Sequence, residues 1–252
     1  MKCRIISTEA DTKTSRYFER IGLPYKFVAC ECQQKEFEGV DTVFYKCAGV
    51  HGSNIARKNA LLEDGCAVFD DDYTSLRYGG FASSDVPSVG WGNGKELNDF
   101  LDKLADIEKR YPKLILGGYS GGAIHGVGGR NSQNIMQVFF SGKINRFFRE
   151  KSELYRLNDD VCACIMAKRR GYLTIGLWSL LRATQQPEGY DNTNNYDSRS
   201  YAKSFLPILY APTAARIVWC KEKKLAKGKI RPGRFHHRID WRKISPRVVE
   251  VE

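Results

Sequence analysis

Through the first 116 residues of this 252-residue chain, short apolar runs alternate with segments of helical period. No other feature limits the fold as much. Cys3–Ser7, Tyr25–Cys30 and Cys66–Phe69 read as buried strands, and Thr42–Tyr45 and Lys113–Leu116 as further strands. Between the first two, Thr14–Ile21 has the spacing of a helix. Ser53 is placed to cap a second helix running to Glu63, closed by Asp64-Gly65. Lys95–Tyr111 puts Leu97, Phe100, Leu101, Leu104, Ile107 and Tyr111 on one stripe, and Pro112 stops it. Alternation of this kind predicts an α/β fold, with a mostly parallel central sheet, right-handed crossovers and flanking helices. Ligands of such sheets gather at the carboxyl ends of the strands.

Past that point the pattern loosens. Ile135–Phe140 reads as a strand, Asp159–Arg170 as a helix and Tyr172–Leu177 as another strand. Thr184–Ser200 is a polar stretch long enough for a functional loop, and Tyr201–Tyr210 and Arg216–Trp219 are weaker elements. The charge is lopsided. Residues 199–252 carry fourteen Lys and Arg against four Asp and Glu, a net +10 of the whole chain's +11, so residues 1–198 carry only +1. With no internal repeat and no low-complexity linker, the economical division is one domain over 1–198. A basic extension, 199–252, packs on that domain or continues it.

Composition removes several classes. Apolar residues at 42% and aromatics at 12% provide a core and exclude wholesale disorder. The longest apolar stretch, Tyr172–Leu181, is half of what a membrane-spanning helix needs. The N-terminus turns polar at Ser7, too early for a secretory signal, so the expected location is the cytoplasm. Eight cysteines in that setting are expected as reduced thiols, with the Cys30/Cys32 and Cys162/Cys164 pairs as small core residues.

The residues most charged with chemistry are Asp70, Asp71 and Asp72, immediately after a buried strand. Three adjacent carboxylates repel one another, and a turn or helix cap needs only one or two. If strand geometry continues through them, Asp70 and Asp72 project to one side. They would then offer hard oxygen ligands to Mg2+ or Mn2+, with a diphosphate completing the shell.

Three segments in order carry a resemblance: Val28-Ala29-Cys30-Glu31, then Ile55-Ala56-Arg57-Lys58-Asn59, then Ala67-Val68-Phe69-Asp70-Asp71-Asp72-Tyr73. Over residues 1–80 the chain resembles a GT-A glycosyltransferase, closest to the small phage-encoded DNA-modifying type associated with base hydroxylation. The resemblance implies that a D-x-D motif binds a divalent ion and the diphosphate of a nucleotide-sugar, such as a UDP-sugar. Asp70 would meet the ribose or sugar with Asp71 beside it, and Asp72 the metal. Glu31 would face the nucleoside, and Arg57 the base or phosphate. It further implies an inverting transfer with a carboxylate base where Asn158-Asp159-Asp160 opens a helix; this sequence has Asp-Asp where Glu-Asp is usual, which favours Asp160. A histidine from His236-His237 would be the third metal ligand, and the acceptor a hydroxymethylated pyrimidine in DNA. A phage-encoded member would act in the host cytoplasm.

The residues also allow rival readings. Gly118-Tyr119-Ser120-Gly121-Gly122 matches the G-x-S-x-G of α/β-hydrolases, and Asp160 and His236 follow in the Ser, Asp, His order. That motif needs a helix directly after the serine, yet Gly121, Gly122, Gly126, Gly128 and Gly129 would each cost it up to about 1 kcal/mol. A non-enzymatic nucleic-acid-binding module would explain the basic end, where Phe235, His236, His237 and Trp241 interleave with cations. It would leave the aspartates unexplained.

Overall fold

The computed structural model describes residues 1–46, 66–78, 89–120, 136–139, 142–145, 147, 159–184, 200–224, 230–231 and 233–244. The helix predicted over 53–63, with Arg57, lies outside them. In chain order the amino-terminal elements are β1 (Lys2–Ile6), α1 (Lys13–Ile21), β2 (Tyr25–Cys30), a 3-10 segment (Glu31–Phe37), β3 (Thr42–Tyr45) and β4 (Cys66–Asp70). Next come β5 (Tyr73–Tyr78), β6 (Val89–Gly90), α2 (Gly94–Arg110), β7 (Leu114–Ser120), β8 (Met136–Phe139), α3 (Gly142–Asn145) and α4 (Asp159–Arg169). The last are β9 (Leu173–Thr184), α5 (Ser200–Tyr210), β10 (Ala215–Cys220), β11 (Lys223–Lys224), β12 (Ile230–Arg231) and β13 (Arg234–Ile239). Among the described residues, no helix is long and apolar enough to cross a membrane.

Nine strands form one sheet in the order β3-β2-β1-β4-β8-β7-β9-β5-β6. The block β3-β2-β1-β4 is parallel throughout, as the β/α alternation predicts. The rest corrects the expectation of a mostly parallel sheet. β8 runs against both β4 and β7, and β5 runs against both β9 and β6, leaving only β7–β9 parallel outside the block. The chain turns over two residues, Asp71 and Asp72, and β5 joins the sheet beyond β9 rather than beside β4, with no crossover helix between them. The twelve-residue β9 makes this possible: Leu173–Leu177 pairs with β7, and Leu181–Thr184 continues on to pair with β5.

Strand alternation splits the core between the two faces of the sheet. On one face Cys3, Ile5, Phe27 and Phe69 pack with Tyr17 and Phe18 of α1 and Leu97 and Leu101 of α2. On the other, Ile6, Val28, Cys30 and Val68 pack with Ala163, Cys164 and Ala167 of α4. Thr12 caps α1 by accepting from Ser15 N at 2.9 Å, while Ser15 Oγ accepts from Thr12 N at 3.0 Å. Gly22 ends the helix at φ +69°, a conformation that suits glycine. The start of α2 sits against this cap so tightly that a Cβ on Gly94 would lie 2.5 Å from Leu23 N.

The cysteine expectation holds in part. Cys162 and Cys164 are buried and in no disulfide, but Cys32 is exposed and Cys30 is disulfide-bonded. The basic end is also more ordered than a solvated tail. β10 and β13 form an antiparallel ribbon whose Ala215 and Ile239 are register partners. Ile239 and Trp241 then pack on a third cluster containing Val161, Ile165, Ala211 and Ile244.

Candidate functional site

In the parallel block the chain proceeds outward from β1 to β2 to β3, then returns to place β4 on the other side of β1. β1 leads through α1 to β2 on one side, whereas β4 lies on the other side and runs straight into its turn. The strand order thus reverses between β1 and β4, where sheets of this kind hold ligands at their carboxyl ends. The aspartates stand at that point. β4 ends at Asp70, and Asp71 and Asp72 form a turn, so strand geometry does not carry Asp70 and Asp72 to one side as the sequence suggested. Asp70 and Asp71 are half-buried; Asp72 is exposed.

Two hydroxyl residues fix this turn. Thr14, in the first turn of α1, donates from Oγ1 to Asp70 O at 2.6 Å and accepts from Tyr73 N at 2.9 Å. Its own amide donates to Asp71 O at 3.3 Å. Ser7, the residue after β1, donates to Asp71 Oδ2 at 3.0 Å and accepts from Glu9 N at 3.1 Å. The Ser7–Asp71 bond joins the ends of β1 and β4. Tyr73 OH donates to Asp70 Oδ2 at 3.5 Å. A further tie comes from Gln33, which accepts from Cys30 N and donates to Thr8 O, both at 3.3 Å, linking the ends of β1 and β2. Sequence reading missed Ser7, Thr14 and Gln33. Each is an ordinary polar residue locally, and acquires its part only when distant segments meet.

Burial, with Asp70 and Asp72 adding repulsion, pushes the Asp71 carboxyl up to about 6, while the Ser7 hydrogen bond opposes the rise. The sign follows directly. Asp71 binds its proton more tightly folded than unfolded, so its contribution to stability is full below ~4 and is lost as pH rises through about 6. In EDTA, Asp71→Asn is expected to stabilise the protein at pH 7.5 by on the order of 1–3 kcal/mol, with the gain vanishing toward pH 4. Urea melts at the two pH values measure it; an equal gain at both contradicts the assignment. A carboxylate that costs folding stability at neutral pH is consistent with a role outside folding.

The other predicted residues fall as follows. Glu31 is exposed and opens the 3-10 segment directly after β2, on the same sheet edge as the aspartates. Asp160 is the second residue of α4 and is half-buried. His236 and His237 lie on β13 in the carboxyl-terminal ribbon, with ring centroids 4.4 Å apart. Ser120 is the last residue of β7, and the segment that would form its nucleophile turn lies outside the described residues. Among the described residues, no three His, Cys, Asp or Glu side chains gather into a group that could hold a metal ion. The chemistry of the turn still fits one kind of ion: a few carboxylate oxygens suit Mg2+ or Mn2+, which keep waters and take further ligands from a bound phosphate. Comparison with protein-family models, with curated proteins and with solved structures gave no match to this chain.

Proposed function

We propose that the chain is a metal-dependent glycosyltransferase of the GT-A type, moving a sugar from a nucleotide-sugar to a hydroxyl, with a hydroxymethylated pyrimidine in DNA as acceptor. The observation that carries this reading is the acidic turn Asp70–Asp72 at the β1/β4 switch point, braced by Ser7 and Thr14. Nucleotides bind at such switch points, and carboxylates there need a cation to accept a diphosphate.

In this reading exposed Asp72 holds Mn2+ or Mg2+, with His236 or His237 as a further ligand, and Asp70 and Asp71 line the donor site. Glu31 and Arg57 meet the nucleoside or phosphate. The ion, when bound, neutralises charge on the departing nucleoside diphosphate. Asp160 takes the proton of the acceptor hydroxyl as it attacks the anomeric carbon. The net +10 of residues 199–252 supports a polyanionic acceptor. Calorimetric titration with UDP tests the donor side: binding is expected with Mn2+ and lost in EDTA. Equal binding in both would overturn the metal-dependent reading.

A further inference from the structure

The β10–β13 ribbon has a charge arrangement that the fold itself does not use. Its register sets Arg216 directly opposite Arg238. Opposed residues of an antiparallel pair share a face, with Cβ atoms about 5 Å apart, and like charges there are destabilising. Both arginines are exposed, and among the described residues neither makes an ion pair. Neither strand contains an Asp or Glu, and the nearby Asp240 is engaged by Arg242 at 3.3 Å. The ribbon is also firmly held. Ile239 packs on the cluster of Val161, Ile165 and Ala211, and Ser204 Oγ donates to Phe235 O at 2.9 Å.

The register also divides the ribbon by chemistry. Arg216, Val218 and Arg238 fall on one face, while Ile217 and the Trp219–Phe235 pair fall on the other, and the rings of His236 and His237 lean together. The arginine positions therefore stand without a Phe, Tyr or Trp among them. A surface for unpaired bases combines cations with aromatic stacking platforms. One with cations alone suits the phosphates of a duplex. A two-stranded ribbon also has the cross-section that a major groove admits.

We propose that this arginine face of the β10–β13 ribbon docks double-stranded DNA, with Arg216 and Arg238 contacting its phosphates. The surface extends the acceptor side of the function proposed above and rests on that reading for its part in transfer. Binding itself needs neither donor nor metal, so the two can fail separately.

The test is fluorescence anisotropy of a labelled duplex with the full chain in EDTA, over a series of salt concentrations. Arg216→Gln/Arg238→Gln is expected to weaken binding and flatten the log–log salt slope by about 1.8, because each phosphate contact contributes about 0.9. Arg238→Glu, which sets an opposite charge across from Arg216, is expected to hold or raise the melting temperature while weakening duplex binding further. That pairing of results separates lost docking from lost folding. Parental affinity and slope in both variants overturn the proposal, as does failure of the parent to bind duplex. Tighter binding of single strands, with the variants impaired only there, also overturns it. UDP binding measured on the same variants distinguishes the two claims. If it stays metal-dependent while duplex binding is parental, the surface fails and the donor site stands. If UDP never binds while the variants lose duplex, the surface stands and the transferase fails.

Discussion

Asp72→Asn is expected to abolish manganese-dependent binding of UDP while leaving the thermal transition of the protein in place. Asp72 is exposed in a two-residue turn, so its side chain supports little packing. The turn is held instead by Thr14, through Asp70 O and Tyr73 N, and by Ser7, through Asp71. Replacing the carboxylate by an amide of the same shape removes the negative charge that a hard divalent cation requires. A structural role for Asp72 predicts the reverse pattern, lowered stability with binding retained. Calorimetry with and without EDTA, beside a melt of each protein, separates the two. Retained metal-dependent binding in Asp72→Asn would move the ion to another carboxylate.

The second large effect concerns the strand that delivers the turn. Phe69 is completely buried and sits one residue before Asp70. Its ring meets Phe18 edge-on, with centroids 5.0 Å apart, and Tyr73 at 6.5 Å. Phe69→Ala is expected to cost about 3–5 kcal/mol, the sum of lost burial and a cavity between α1 and the sheet. That is a large share of a domain's net stability of roughly 5–15 kcal/mol. Phe69→Leu keeps most of the volume and is expected to cost less than half as much. Guanidinium unfolding of the three proteins measures this; a loss below ~1 kcal/mol for the alanine variant would mean that the site collapses around the gap.

What the sequence reveals of this fold follows from where the relevant information lies. β2 and β3 are legible to the residue, because Phe27–Cys30 and Val43–Tyr45 are short apolar runs, each entered through a β-forming residue and bounded by polar segments. The stripe of α2 is legible in its first three turns, where Leu97, Leu101 and Leu104 are buried, but beyond them Ile107 and Tyr111 are exposed and Glu108 is buried instead. β5 is not legible, since Thr74, Ser75 and Arg77 interrupt the pattern and only Tyr73 and Leu76 are buried. The full length of β9 is hidden for a different reason. Its outer half is a strand because β5 pairs with it, a contact between segments about a hundred residues apart. The aspartates are conspicuous at sight, whereas Ser7 acquires its role only by meeting Asp71 across 64 residues. Local pattern thus marks the acidic turn, and tertiary geometry selects which hydroxyls hold it.

The proposed activity is tested most directly by mass spectrometry of hydroxymethylcytosine DNA after incubation with the protein, Mn2+ and a panel of sugar nucleotides. The expected result is a base heavier by one glycosyl residue with at least one donor, absent in EDTA and absent with Asp72→Asn. Unmodified bases with every donor, from folded protein that binds UDP and duplex DNA, would contradict transfer to hydroxymethylcytosine.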